Sequence, residues 1–131
     1  MERFPIRKEV DIAITLVAVR ARAARLGFDH NKLDRICICV SELTRNIIKY
    51  SPTRGGDLVL REEVSSDRMT LILQARDNGP GIANIEAALQ NHMSTSGSLG
   101  LGLPGVKRLA DQFEILSQPG EGTVVTISFE R

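Results

Sequence analysis

Glu42 and Asn46 lie four residues apart in an apolar helical run, so on a helix they share one face about one turn apart. Polar groups in such a run are costly unless they have partners. A carboxylate there can accept a proton from an attacking hydroxyl or water. An amide oxygen is a good hard ligand for Mg²⁺, which uses few protein ligands and completes its shell from water and phosphates. Taken alone, the pair also fits a wet helix face on which Glu42 meets Arg45 or Lys49 and Asn46 is solvated.

Two glycine-containing segments lie downstream. Asp77-Asn78-Gly79-Pro80-Gly81 directly follows a strand-like run, and Asn-Gly and Pro-Gly are common turn dipeptides. A carboxylate at a strand end can also accept a hydrogen bond from an exocyclic amine such as that of adenine, with Gly79 and Gly81 letting backbone approach a ring. In Gly97-Ser98-Leu99-Gly100-Leu101-Gly102-Leu103-Pro104-Gly105 the glycines precede a helix whose N–H groups and dipole favour phosphate oxygens. That spacing fits neither the dinucleotide fingerprint nor the P-loop, and a flexible helix-capping loop explains it equally well. An acid, an amide and two glycine loops are together what a Mg-nucleotide site requires. Lys107 and Arg108 can add charge near a phosphate, or simply be solvated.

These residues need a scaffold, and the chain supplies one. After a short strand at Arg3–Ile6, Glu9–Leu26 reads as a helix ended by Gly27. A second helix, capped by Asp29 or Asn31, carries Leu33, Ile36, Cys37, Val40, Leu43 and Ile47 at helical period to Tyr50, before Ser51-Pro52 stops it. Over Ile36–Val40 it is apolar on every side, which predicts a central position. Asp57–Val64 and Met69–Asp77 predict an antiparallel hairpin across Ser65–Asp67. Ala83–Asn91 predicts a short helix, Ser94–Gly100 a mobile loop, and Leu103–Asp111 a helix with Pro104 in its first turn. Phe113–Gln118 and Thr123–Glu130 predict a closing hairpin over Pro119–Gly122. The fold class that follows is an α/β two-layer sandwich, with helices on one face of a mixed, mostly antiparallel sheet.

Composition sets the remaining bounds. The 131 residues suit one domain, and 42% hydrophobic with 25% charged residues is ordinary for a globular protein. A formal net charge of +1, with basic residues interspersed among acids, gives no field for nucleic acid or an anionic membrane. The charged start Met1–Lys8 is unlike a secretory signal, and no apolar run is long enough to span a bilayer, which predicts a cytoplasmic protein. Cys37 and Cys39 point about 200° apart on a helix, against a disulfide or shared metal, and read as buried small hydrophobes.

The order of the motifs resembles the Bergerat-fold (GHKL) ATPase and kinase family shared by gyrase, the ninety-kilodalton heat-shock chaperone, histidine kinases and MutL. Glu42-Leu43-Thr44-Arg45-Asn46 is similar to its N box, and Asp77-x-Gly79-x-Gly81 to its first glycine box. Gly100-x-Gly102 matches the second, and Gly122-Thr123 the last. The resemblance spans nearly the whole chain. It implies that ATP is bound, that Asn46 holds Mg²⁺, and that Asp77 contacts the adenine amine with support from Thr123 through water. It further places Gly79, Gly81, Ser96, Gly100, Leu101 and Gly102 at the nucleotide, with Ser94, Thr95 and Ser96 as candidates for the γ-phosphate.

Within the family, the compact chain resembles the anti-sigma-factor type of serine/threonine kinase. Ser94–Leu109 is most similar to the switch kinases of the bacterial stressosome. That resemblance implies a protein kinase with Glu42 as base, STAS-domain scaffold or antagonist proteins as substrates, and a PP2C-type phosphatase as the next partner. The alternative is an anti-sigma factor that holds a sigma factor in an ATP-dependent manner, for which a carboxylate beside the metal ligand is unnecessary. A detached histidine-kinase catalytic domain is a third reading, against which the chain has no phosphoacceptor-histidine helix.

Overall fold

The computed structural model describes residues 1–81, 89 and 102–131. In chain order the elements are β1 (Glu2–Ile6), α1 (Glu9–Arg25), α2 (His30–Tyr50), β2 (Gly56–Val64), β3 (Met69–Asp77), α3 (Gly102–Leu109), β4 (Gln112–Gln118) and β5 (Gly122–Glu130). The expected helix at Ala83–Asn91 and loop at Ser94–Gly100 lie outside the described residues.

Local chemistry sets the element ends. The Asp11 carboxylate accepts the backbone N–H groups of Arg7 and Lys8 at 2.9 and 3.1 Å, closing the first turn of α1. Those two bonds hold its carboxyl below the usual carboxylate range. Gly27, at φ +91°, ends the helix, and Phe28 N–H returns to the Ala23 carbonyl. Of the two expected caps on α2, Asp29 is the one used, its Oδ1 accepting Lys32 N–H at 2.8 Å. At the far end Ser51 N–H still bonds to the Ile47 carbonyl, and Pro52 stops the chain from continuing.

Among the described residues five strands run in the order β1-β2-β3-β5-β4, and every neighbouring pair is antiparallel. This corrects the expectation of a mixed sheet. β5 inserts between β3 and β4, so these two strands, which run in the same direction, never touch. Alternation aims Leu58 and Leu60, Leu71, Leu73 and Ala75, and Val125, Ile127 and Phe129 at the helices, all buried. Ile36, Val40, Leu43 and Ile47 of α2 meet them, each large side chain contributing about 1.5–3 kcal/mol of burial. α2 lies between α1 and α3, as its all-round apolar stretch predicts.

The other sheet face is polar, with Gln74 Nε2 donating to Thr126 Oγ1 at 3.0 Å and Arg76 Nε to Gln74 Oε1 at 2.7 Å. The cysteines divide. Cys39 is buried as expected, with its thiol 3.9 Å from the Val106 carbonyl oxygen, whereas Cys37 is only half-buried and accepts from Arg20 at 3.6 Å. The expectation failed for Cys37 because its neighbour comes from α1, seventeen residues away. Among the described residues no helix is long and apolar enough to cross a membrane.

Candidate nucleotide site

β3 sits inside the sheet and ends at Asp77, opposite Gly56 of β2 on one side and Thr123 of β5 on the other. Its carboxylate is therefore fixed by the sheet register. Oδ1 accepts Gly79 N–H at 2.9 Å. Burial pushes this carboxyl above the usual carboxylate range, and the backbone N–H groups of Gly79 and Thr123 pull it part of the way back.

The chain beyond Asp77 threads between the end of α2 and the β4–β5 turn. Asn78 N–H bonds to the Gly55 carbonyl at 3.2 Å, and the Pro80 carbonyl accepts Gly120 N–H at 2.7 Å. A methyl group on Gly79 would collide with the Tyr50 carbonyl oxygen and lie 3.0 Å from its carbon. One on Gly81, at φ +84°, would meet the Gln118 carbonyl, and one on Gly122 the Asp77 carbonyl. These glycines let backbone pack on backbone at the end of the cleft.

Asn46 of α2, Asp77 of β3 and Thr123 of β5 line one narrow cleft, with a cavity volume of about 20 Å³. Leu43, Ile47, Ala75, Leu103 and Val125 make its apolar walls, with Tyr50 alongside. Thr123 is buried, and its Oγ1 lies 2.8 Å from Ser117 Oγ of β4. Ser117 went unnoticed in the sequence, although the hairpin register that sets it opposite Thr123 could have revealed it. Leu103 arrives because α3, opened by Gly102 at φ +54°, packs on α2 at this point.

Glu42, one turn before Asn46, is 1% exposed, so a solvated surface pair with Arg45 or Lys49 does not hold. Arg45 Nε instead donates to Ser41 Oγ at 3.2 Å, and the Lys49 ammonium sits 5.2 Å from the Tyr50 ring centre. Among the described residues the cleft walls do not include Glu42. Lys107 and Arg108 are exposed on α3. Ser96, Gly100 and Leu101, like Ser94 and Thr95, lie outside the described residues. A larger concavity on the polar sheet face, lined by Arg61, Glu63, Arg68, Glu114 and Glu130 among others, contains none of the motif residues.

The groups on the cleft match the chemistry of a heterocycle with an exocyclic amine: apolar side chains for ring faces and a fixed carboxylate for the amine. A half-buried amide at the same cleft is a hard oxygen donor of the kind Mg²⁺ accepts.

Comparison with known proteins agrees with this chemistry. Residues 31–131 match the family described as histidine kinase-, DNA gyrase B-, and HSP90-like ATPase. The serine/threonine-protein kinase RsbT of Bacillus subtilis is 40% identical over 120 residues, covering 92% of this chain and 89% of the relative. The anti-sigma F factor of Anoxybacillus flavithermus is 32% identical over 85% of this chain and 78% of its own length. That of Clostridium beijerinckii is 29% identical over 93% and 87%.

Proposed function

Because this chain belongs to the family of histidine kinase-, DNA gyrase B- and HSP90-like ATPases, we propose that it is a cytoplasmic, ATP-dependent protein serine/threonine kinase of a partner-switching module. Its substrates are STAS-domain antagonist proteins, and a PP2C-type phosphatase is its partner once they are modified. The observation that carries this reading is the meeting of Asn46, Asp77 and Thr123 on one cleft, with Glu42 a helical turn away. Support for the reaction class comes from 40% identity to a serine/threonine-protein kinase over nearly the whole chain.

In this mechanism Asp77 accepts the adenine amine, and Thr123, oriented by Ser117, supports that end of the cleft. Asn46 would hold Mg²⁺, which would supply charge to neutralise the phosphates. Glu42 takes the proton of the protein hydroxyl as its oxygen attacks the γ-phosphorus, the bond from that phosphorus to the β–γ bridging oxygen breaks, and ADP leaves. Residues on two strands and one helix fix the distances between these roles, so positioning and charge do most of the catalytic work. Phosphate on the product adds about −1.5 to −2 charges at the contact, which releases the kinase to its next partner.

Labelled ATP, the purified chain and STAS-domain proteins from the same genome test this directly. Acid-stable label on a serine or threonine is expected. Glu42→Gln should keep ATP binding while losing roughly 10²- to 10⁴-fold in single-turnover rate. An unchanged rate in that variant removes Glu42 from the mechanism. ATP-dependent capture of a sigma factor without transfer would replace the kinase reading by an anti-sigma one, and acid-labile label would point to a phosphohistidine.

A further inference from the structure

The nucleotide cleft lies at one end of the contact between α2 and α3, and a charged cluster lies at the other. Leu103, near the start of α3, reaches the cleft beside Leu43, Asn46 and Ile47 of α2. Further along, the Val106 carbonyl oxygen is 3.9 Å from the Cys39 thiol. Beyond the end of α3, Asp111 Oδ2 accepts the Lys32 ammonium at 2.5 Å. These contacts descend α2 as they ascend α3, so the two helices are antiparallel neighbours. Lys32 precedes Asn46 by fourteen residues, which puts about 20 Å of helix between the charged cluster and the cleft.

Lys32 and Asp111 tie three elements together. The Asp111 N–H donates to the Ser128 carbonyl at 3.0 Å and its carboxylate accepts Glu130 N–H at 2.7 Å, which fixes Asp111 to the end of β5. Lys32, in the first turn of α2, donates to that carboxylate and, at 3.0 Å, to the Glu130 carbonyl. Burial would raise the Asp111 carboxyl, but the Lys32 ammonium and the Glu130 N–H hold it below the usual carboxylate range. The carboxylate is therefore ionised at neutral pH. Charge-assisted bonds of this kind are shorter and stronger than neutral ones.

We propose that Lys32 and Asp111 are positioning residues for the cleft: they fix the axial register of α2 against α3, and with it the separation at which Asn46 and Leu103 meet a bound nucleotide. This rests on the nucleotide reading of the cleft. Two kinds of contact divide the work. Leu103 and Val106 meet α2 through buried apolar surface, which rewards area and not direction. Packed helices shift past one another by roughly 1–2 Å in proteins that move, and a misplacement of about 1 Å at a reacting group is costly. A slip of that size here would bend or stretch both Lys32 bonds, whose geometry is directional. A partly buried ion pair adds little stability for its cost, and specifying register is the use best attested for one.

Titration calorimetry of the full chain with Mg-ATP, well below the melting temperature, tests the pair. Lys32→Met keeps the packed stem and removes the ammonium, whereas Asp111→Asn keeps an acceptor for Glu130 N–H and removes the charge. Each should raise Kd roughly three- to tenfold, and the double variant no more than the worse single one, since the two residues act as a unit. Lys32→Arg, which retains a charged donor, should recover most of the loss. A second measurement separates register from general loosening. In methyl-labelled protein without nucleotide, the Leu103 resonance should move in Lys32→Met while that of Leu116, exposed on β4, stays in place. Wild-type Kd in both single variants, losses that multiply in the double variant, or an unmoved Leu103 resonance beside a lowered melting temperature would each overturn the proposal. Failure of the wild type to bind Mg-ATP would overturn the nucleotide reading and this proposal with it. Unchanged circular dichroism shows that the variants are folded, and Asp111→Asn carries the test if Lys32→Met does not fold.

Discussion

Gly79→Ala separates two reasons for a glycine beside the cleft. Its backbone conformation is not left-handed, so an alanine there meets no strain from φ and the whole effect is space. The added methyl would overlap the Tyr50 carbonyl oxygen and approach Asp77 Oδ1 to 3.2 Å. Restoring ordinary contact requires the strand-end loop and the end of α2 to part by roughly 1 Å. Overpacking of this kind costs about 1–3 kcal/mol. The Gly79 N–H bond to Asp77, stretched at the same time, adds about 1 kcal/mol. A total near 3 kcal/mol corresponds to a fall of about 10 °C in melting temperature for a chain of this size.

Gly120→Ala is the matched control. Gly120 has φ +82° and nothing within 4 Å of the added methyl, so it bears only the backbone cost, about 1 kcal/mol and about 4 °C. Scanning calorimetry without nucleotide should therefore rank Gly79→Ala well below Gly120→Ala. Calorimetric titration with Mg-ATP should also show weaker binding for Gly79→Ala, because the loop that orients Asp77 has moved. If Gly79→Ala melts with wild type yet loses ATP binding, the glycine serves the ligand and the packing argument is refuted.

Asn46→Ala should weaken Mg-ATP binding at least about tenfold but match wild type when magnesium is chelated, since the amide acts through the metal; equal losses with and without magnesium would sink that role. Ser117→Ala removes the hydroxyl 2.8 Å from Thr123 and should weaken ATP binding by roughly two- to fivefold with the fold intact, as titration calorimetry would show. Burial pushes the Cys39 thiol up to about 12, so the native state keeps its proton where the unfolded chain, at 9.0, has lost it. Stability is thus present below pH 9 and falls as pH rises towards 12, by about 2 kcal/mol at pH 10.5. Urea unfolding of Cys39→Ala should lack that part of the alkaline decline.

What the sequence showed well was local or periodic. The Asp29 cap, the stop at Ser51-Pro52, both hairpins and the core side of α2 each depend on residues within a turn or on alternation along one strand. What it missed came from elsewhere in the chain. Gly79 owes its identity to Tyr50, Cys37 its half-exposed contact to Arg20, and Thr123 its hydroxyl partner to a strand register. The first glycine box was visible as positions, but the backbone it packs against was not. An approaching ligand and an approaching backbone impose the same demand for a missing side chain, and spacing alone does not separate them. The sheet shows a similar limit, because alternation assigns faces but not which strand inserts beside which.

The two acids of the proposed site are both withdrawn from water. Glu42 is 1% exposed on the helix that crosses the core, and burial raises Asp77 at the end of an internal strand. At Asp77 a carboxylate costs stability relative to an apolar residue of similar size. Asp77 recovers part of that cost through two backbone N–H bonds, yet these do not bring it back to the ordinary range. A chain shaped by stability alone has no reason to keep an acid there. Asn46 lies between them in this respect, half-buried at the cleft where an amide oxygen remains open to a ligand. An acid that costs the fold something, on the same cleft as that amide, points to a binding site more strongly than any of the glycines beside it.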